Sequence, residues 1–187
     1  VYKRQPKLQA LCRRHRISLC GAVFPQLIYG TEFHRSGICL LRFDTMPYMA
    51  LHTGVLEATA ESAERIAAGV SPRLDDDTPA TLFLLLDGLL PNIGTLLDEL
   101  YLRLANRVHY AGVNAGSETF QAMPCLFDSH DMVGNGVLAI LLKPHRGAVL
   151  EHGYQTQAHA LPATSTDGNR IIHIDWRPAF EVYQELV

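Results

Sequence analysis

The side chains that could do chemistry in this 187-residue chain are its four cysteines, nine histidines and a few acid-bearing turns. Cys125 stands shortly before His130 and Asp131. A thiol nucleophile needs a base within hydrogen-bond reach and a group that orients the base, and these three are the residue types required. They would suit a small-molecule enzyme, one alternative to a ligand-binding module; a protein-interaction scaffold is the other. Closeness in sequence is not geometry, however, and the G-x-S-x-G turn of serine hydrolases is absent, so no catalytic activity is expected. His173 and Asp175 are two apart, which on a strand would put them on one face. Two ligands do not make a metal site, and a hydrogen-bonded surface pair is the simpler reading. The four cysteines (Cys12, Cys20, Cys39, Cys125) contain no C-x-x-C pair and no zinc spacing. Cys12, Cys20 and Cys39 sit among apolar residues and read as small hydrophobes. Asp75, Asp76 and Asp77 lack the flanking oxygen ligands of a calcium loop and read as a solvated link.

The run Gly112–Val113–Asn114–Ala115–Gly116 follows a strand-like stretch. It has neither G-x-G-x-x-G nor the lysine and hydroxyl of a Walker loop. It therefore reads as a tight turn lining a pocket, with Gly112, Asn114 and Gly116 as candidate ligand-binding positions. His109, His130 and His152 each end an apolar run, where an imidazole can face a cavity, although a hydrogen-bonded structural histidine is the plainer alternative.

These groups must be positioned by elements that the periodicity outlines. A first helix is expected over Pro6–His15, with Leu8, Leu11 and Cys12 inward. An extended stretch follows over Ile17–Ile28, then a polar turn at Gly30–Arg35. Strands are expected at Gly37–Phe43 and Tyr48–His52. Leu56, Ala60, Ala63 and Ala67 fall at helical spacing opposite Glu57, Glu61 and Glu64, with Gly69 as the stop. Thr81–Leu86 is nearly all apolar, as befits a strand covered on both faces. Ile93, Leu97, Leu100, Leu104 and Val108 stripe the next helix, capped by Asn92 or Thr95. Short strands are then expected at Tyr110–Val113, Phe120–Phe127, Val137–Leu142, Ala148–Gly153, His159–Thr164 and Arg170–Ile174, with a turn at Asp167–Gly168–Asn169. Pro178 opens a last helix. The fold class is α/β in the mixed α+β sense. It consists of a mixed sheet with helices packed on it, and mainly antiparallel strands in the C-terminal half.

Hydrophobic residues make up 48% and charged residues 19%, with a net charge of -3. This suits a globular core and disfavours nucleic acid or an anionic membrane as partner. The local basic cluster of Lys3, Arg4, Lys7, Arg13, Arg14, His15 and Arg16 reads as an exposed helix face. No apolar run reaches the ~18 residues of a membrane span, and the free cysteines fit a reducing, cytoplasmic setting. Residues 1–5 (VYKRQ) resemble a translated adapter scar and are set aside, and 6–187 is expected to be one truncated domain.

Several pieces, in order, resemble the N-terminal FIST domain. They are LFLLLDGL at Leu82–Leu89, YAGVNAG at Tyr110–Gly116, VLAILL at Val137–Leu142, EHGY at Glu151–Tyr154, ATSTDGN at Ala163–Asn169 and HIDWRPAFEVYQEL at His173–Leu186. Upstream, GAVFPQLIY at Gly21–Tyr29 fits the family's early strand. The resemblance implies an intracellular sensory domain for a small-molecule ligand, placed beside a histidine kinase, a diguanylate cyclase or a chemoreceptor, or in eukaryotes beside F-box segments. A C-terminal FIST half normally follows, and it is not in this sequence. Some bacterial members bind haem and sense nitric oxide. If haem is the ligand, His152 is the first candidate for the axial position, beside Gly153 and Tyr154, and His130 is the second.

Overall fold

The computed structural model describes residues 5–75, 80–143 and 160–186. The chain forms two compact units, Val1–Ala148 and Val149–Val187.

The first unit opens with helix α1 (Gln5–Arg14), and strands β1 (Gly21–Ala22), β2 (Leu27–Tyr29), β3 (Glu32–His34) and β4 (Tyr48–Thr53) follow. Helix α2 (Thr59–Val70) leads to β5 (Thr81–Asp87), and helix α3 (Ile93–Leu104) leads to β6 (His109–Ala115). Strands β7 (Leu126–Phe127), β8 (Met132–Val133) and β9 (Gly136–Leu142) complete the unit. The main sheet has the order β4-β9-β5-β6. Strands β5 and β6 run parallel, as a crossover through α3 requires. Strand β9 is antiparallel to both β4 and β5. The ends of β4, β5 and β6 therefore share one edge of the sheet.

The expectation for Thr81–Leu86 holds. Leu82, Leu84 and Leu86 pack into one core with α2, α3 and alternate residues of β9, while Leu85 packs into a second with Cys125, Leu126, Leu138 and Ile140. Full burial of each leucine contributes about 1.5–3 kcal/mol. Helix α3 supplies the cover through Leu96, Leu100 and Leu104, all fully buried. Leu97, placed in the stripe from the sequence, is instead 37% exposed. Helix α2 likewise buries Ser62, Ala63, Ile66, Ala67 and Val70, leaving Leu56 outside the helix and exposed. Gly69 does not end α2. It admits the Tyr48 hydroxyl, which a Cβ there would overlap.

Other expectations are corrected. Gly37–Phe43 forms no strand, and Ile38, Leu40, Leu41 and Phe43 are exposed. An apolar run supplies surface to bury, but a strand also needs a ladder partner, and this segment pairs with none of the described strands. Gly30–Arg35 is more than a turn, since β2 and β3 form a hairpin there with Gly30 at φ 62. Helix α1 turns Gln5, Gln9 and Cys12 inward and leaves Leu11 exposed. Gln5, set aside in the sequence, is thus the first residue of that helix. Cys39 is exposed, while Cys12 is buried and Cys20 half-buried. Of Phe120–Phe127 only Leu126–Phe127 is strand.

The second unit is an antiparallel sheet of β10 (Ala163–Asp167), β11 (Arg170–Ile174) and β12 (Arg177–Pro178), followed by helix α4 (Ala179–Leu186). The tight turn expected at Asp167–Gly168–Asn169 joins β10 to β11, with Gly168 at φ 57. The expected strand at Ala148–Gly153 lies outside the described residues, as does His159 of the strand expected at His159–Thr164; of the described part of the latter, Ala163 and Thr164 are strand. The mixed α+β class, with a mixed sheet and antiparallel strands in the C-terminal part, is the observed one.

Candidate functional site

Asp87 ends β5 at the carboxyl edge of the parallel pair, the edge where α/β sheets commonly bind ligands. It is 7% exposed. Its Oδ1 accepts the Leu89 N–H at 3.0 Å and its Oδ2 accepts the Asn135 N–H at 2.8 Å. Cys125 also bonds to it. Burial, the Asp87 charge and that hydrogen bond push the Cys125 thiol up to about 12. Beside Asp87, the Gly88 N–H donates to the Ala115 carbonyl at 2.9 Å. A Cβ on Gly88 would lie 3.0 Å from that carbonyl oxygen and 3.3 Å from Asn114 Cβ, so only glycine lets the two loops close up.

Asn135 carries the network onward from an uncommon backbone, φ 46. Its side chain accepts the Leu56 N–H at 2.9 Å and donates to Glu57 Oε2 at 2.8 Å. Its carbonyl accepts the Val55 N–H. The Val55 carbonyl in turn accepts from Thr59 Oγ1 at 3.1 Å and Asn92 Nδ2 at 3.3 Å. Asn92 Nδ2 also donates to Thr59 Oγ1. The single hydroxyl proton of Thr59 is spent on Val55, so Thr59 must accept from Asn92, which fixes the orientation of the amide. Asn92 Oδ1 is then buried with no partner. An orphan acceptor of this kind costs about 1–3 kcal/mol, and a donor group arriving there would recover it. Asn92 sits at the start of α3 but makes no side-chain cap bond, contrary to the sequence expectation.

The residues singled out in the sequence fall in different places. Asn114 pairs in register with Leu86 and is exposed at the same edge as Asp87. Gly112 is exposed within β6, where a Cβ would overlap the Leu84 carbonyl, so close strand pairing here requires glycine. Gly116 turns the chain out of β6 at φ 137, and its N–H donates to Val23. His130 is exposed in the turn between β7 and β8. Asp128 Oδ1 accepts the N–H groups of His130 and Asp131, and Gln9 of α1 donates to the Asp128 and Asp131 carbonyls. Exposed His130 and Asp131 do not meet fully buried Cys125, so the thiol, imidazole and carboxylate form no triad. His109 is exposed at the start of β6, away from the carboxyl edge. His173 lies on β11, but the strand ends at Ile174 and Asp175 turns away at φ 48, so the two share no pleated face. His152 and Tyr154 lie outside the described residues, as do Asp76 and Asp77. Among the described residues no three His, Cys, Asp or Glu gather to hold a metal ion.

Asp87, Asn92, Asn135 and Glu57 were not read as site residues from the sequence. The available signal was a lone Asp–Gly directly after a doubly buried strand, which marks the carboxyl edge. Nothing local marked Asn135.

No helix among the described residues is long and apolar enough to cross a membrane. No curated protein and no solved structure matches the chain. The family model described as the FIST N domain matches residues 3–177, nearly the whole sequence, and the chain belongs to that family.

Proposed function

We propose that this chain is a sensory domain that binds a small polar ligand at the carboxyl edge of β5 and β6 and passes the event to a partner protein. Family membership supports the sensory class. The single observation that carries the location is the buried, unpartnered Asn92 Oδ1 within the network of Val55, Thr59, Asp87 and Asn135. The network ties three loops together, those after β4, β5 and β8. A ligand donating to Asn92 would alter how they are held, a direct route from binding to shape. The partner is a signalling protein such as a histidine kinase or diguanylate cyclase, and the setting is cytoplasmic. No enzymatic role is proposed, because burial and the Asp87 charge hold the Cys125 thiol protonated and the exposed His130 imidazole does not reach it.

Haem as the ligand, with nitric oxide as the signal, is the narrower version. The setting of His130 does not fit it. Among the described residues that imidazole is exposed in the turn between β7 and β8. The haem version therefore rests on His152. An absorption spectrum of the purified chain reconstituted with haem tests it, since a Soret band that survives His152→Ala excludes that ligand. The edge site is tested by melting the chain against a panel of amino acids and other small polar metabolites. A stabilising ligand whose effect vanishes in Asn92→Ala supports the reading. A ligand that stabilises wild type and Asn92→Ala equally refutes the location.

A further inference from the structure

A cleft of about 700 Å³ opens at the opposite end of the main sheet, where β4 begins and β9 ends. Its size falls within the ~300–1,000 Å³ typical of small-molecule sites. Phe43, Met46, Pro47, Met49, Leu141 and Leu142 give it an apolar wall. Its two charged lining residues are Arg73 and Lys143, and no acidic side chain lines it among the described residues.

Arg73 is pre-positioned. Its guanidinium carbon lies 4.4 Å from the centroid of the Tyr48 ring, and one N–H donates to the Gly69 carbonyl at 2.7 Å. The ring is itself pinned, because the Tyr48 hydroxyl occupies the space left by the missing side chain of Gly69. Among the described residues nothing else engages the guanidinium, so most of its five donors remain for a planar, bidentate acceptor. Phe43 and Met46, 48% and 57% exposed, offer apolar surface that an alkyl chain would cover. Two cations over an apolar wall match one anionic head on one hydrocarbon tail. A polyphosphate would leave the wall unused, and a neutral lipid would leave the cations unused.

We infer that this cleft is a second binding site, which takes a medium-chain carboxylate with its head on Arg73 and Lys143 and its tail against Phe43, Met46 and Leu142. The test titrates the full chain with decanoate and, separately, decanol, reading the amide shifts of Met46, Met49 and Lys143 by NMR. Wild type should bind decanoate saturably below about 1 mM, and Arg73→Gln/Lys143→Gln should weaken it by roughly tenfold or more, with decanol unaffected. Circular dichroism checks that the double variant is folded. If it is not, Lys143→Gln alone is read, with a severalfold loss expected for decanoate and none for decanol. No saturable decanoate binding, equal losses for acid and alcohol, or shifts clustered elsewhere would overturn the assignment.

Discussion

Replacing Asp87 by Ala should remove the fastening of the carboxyl edge. The carboxylate accepts from Leu89 N at 3.0 Å, from Asn135 N at 2.8 Å and from the Cys125 thiol. Each buried donor left without an acceptor costs about 1–3 kcal/mol, with the weak thiol at the bottom of that range. Leu89 is 42% exposed, so its N–H can turn to water and contributes least. Relief of the charge's own burial cost offsets part of the loss. The expected net destabilisation is about 2–4 kcal/mol, a fall in Tm of roughly 5–15 °C for a unit of this size. Asp87→Asn keeps one acceptor oxygen and should lose about half as much. The only tryptophan, Trp176, is exposed in the second unit, so its fluorescence is the wrong probe. Hydrogen exchange of the β5 and β9 amides, with urea unfolding followed by far-ultraviolet circular dichroism, reports the correct unit. A loss below about 0.5 kcal/mol for Asp87→Ala would refute the fastening argument. Equal damage from Asn and Ala would show that the negative charge matters rather than the acceptor geometry.

Four further outcomes are expected. Gly69→Ala should destabilise the first unit by about 1–3 kcal/mol through overlap with the Tyr48 hydroxyl. Tyr48→Phe in the same chain should restore part of that, and a double-mutant cycle by urea unfolding that shows strict additivity would contradict it. Native thiol labelling should modify Cys39 first, with Cys125 and Cys20, their pKa values raised to about 12 and 11 chiefly by burial, reacting only after unfolding. Because the folded Cys125 pKa lies above its ordinary 9.0, its contribution to stability is present below pH 9 and is lost as pH climbs toward 12. The His52 imidazole is held below its ordinary 6.5 by burial and then by the Arg65 charge, and its buried Nε2 has no partner. The unfolded chain therefore takes up that proton first, and stability should fall as pH drops below 6.5. Urea midpoints in His52→Gln should lose part of that slope, and an unchanged slope would rule His52 out as its source.

The strongest sequence signals were those that one element carries by itself. A run such as Thr81–Leu86 is apolar at both parities, so any sheet that uses it must cover both faces, and it became an inner strand. The turn at Gly168 and the helix after Pro178 were legible for the same reason, because their chemistry is local. Helix faces were less so. Leu8 and Leu11 promised an apolar contact for α1, but Gln9 and Arg13 reach the carbonyls of the β7–β8 turn, and those bonds fix the rotation of the helix. The stripe of α3 shifted from Leu97 to Leu96 because several leucines offer near-equivalent faces, and the sheet chooses among them. The apolar Gly37–Phe43 shows the limit most directly, since strand propensity cannot supply a ladder partner. The candidate site lay furthest from what sequence spacing reveals. Glu57, Asp87, Asn92 and Asn135 are scattered along the chain and meet only because β4, β5 and β9 bring their loops to one edge. By itself the sequence determined the core strand, the local turns and the family. The tertiary structure alone decided which polar groups are buried together, because burial and hydrogen-bond partnership belong to the packed chain and not to any segment of it.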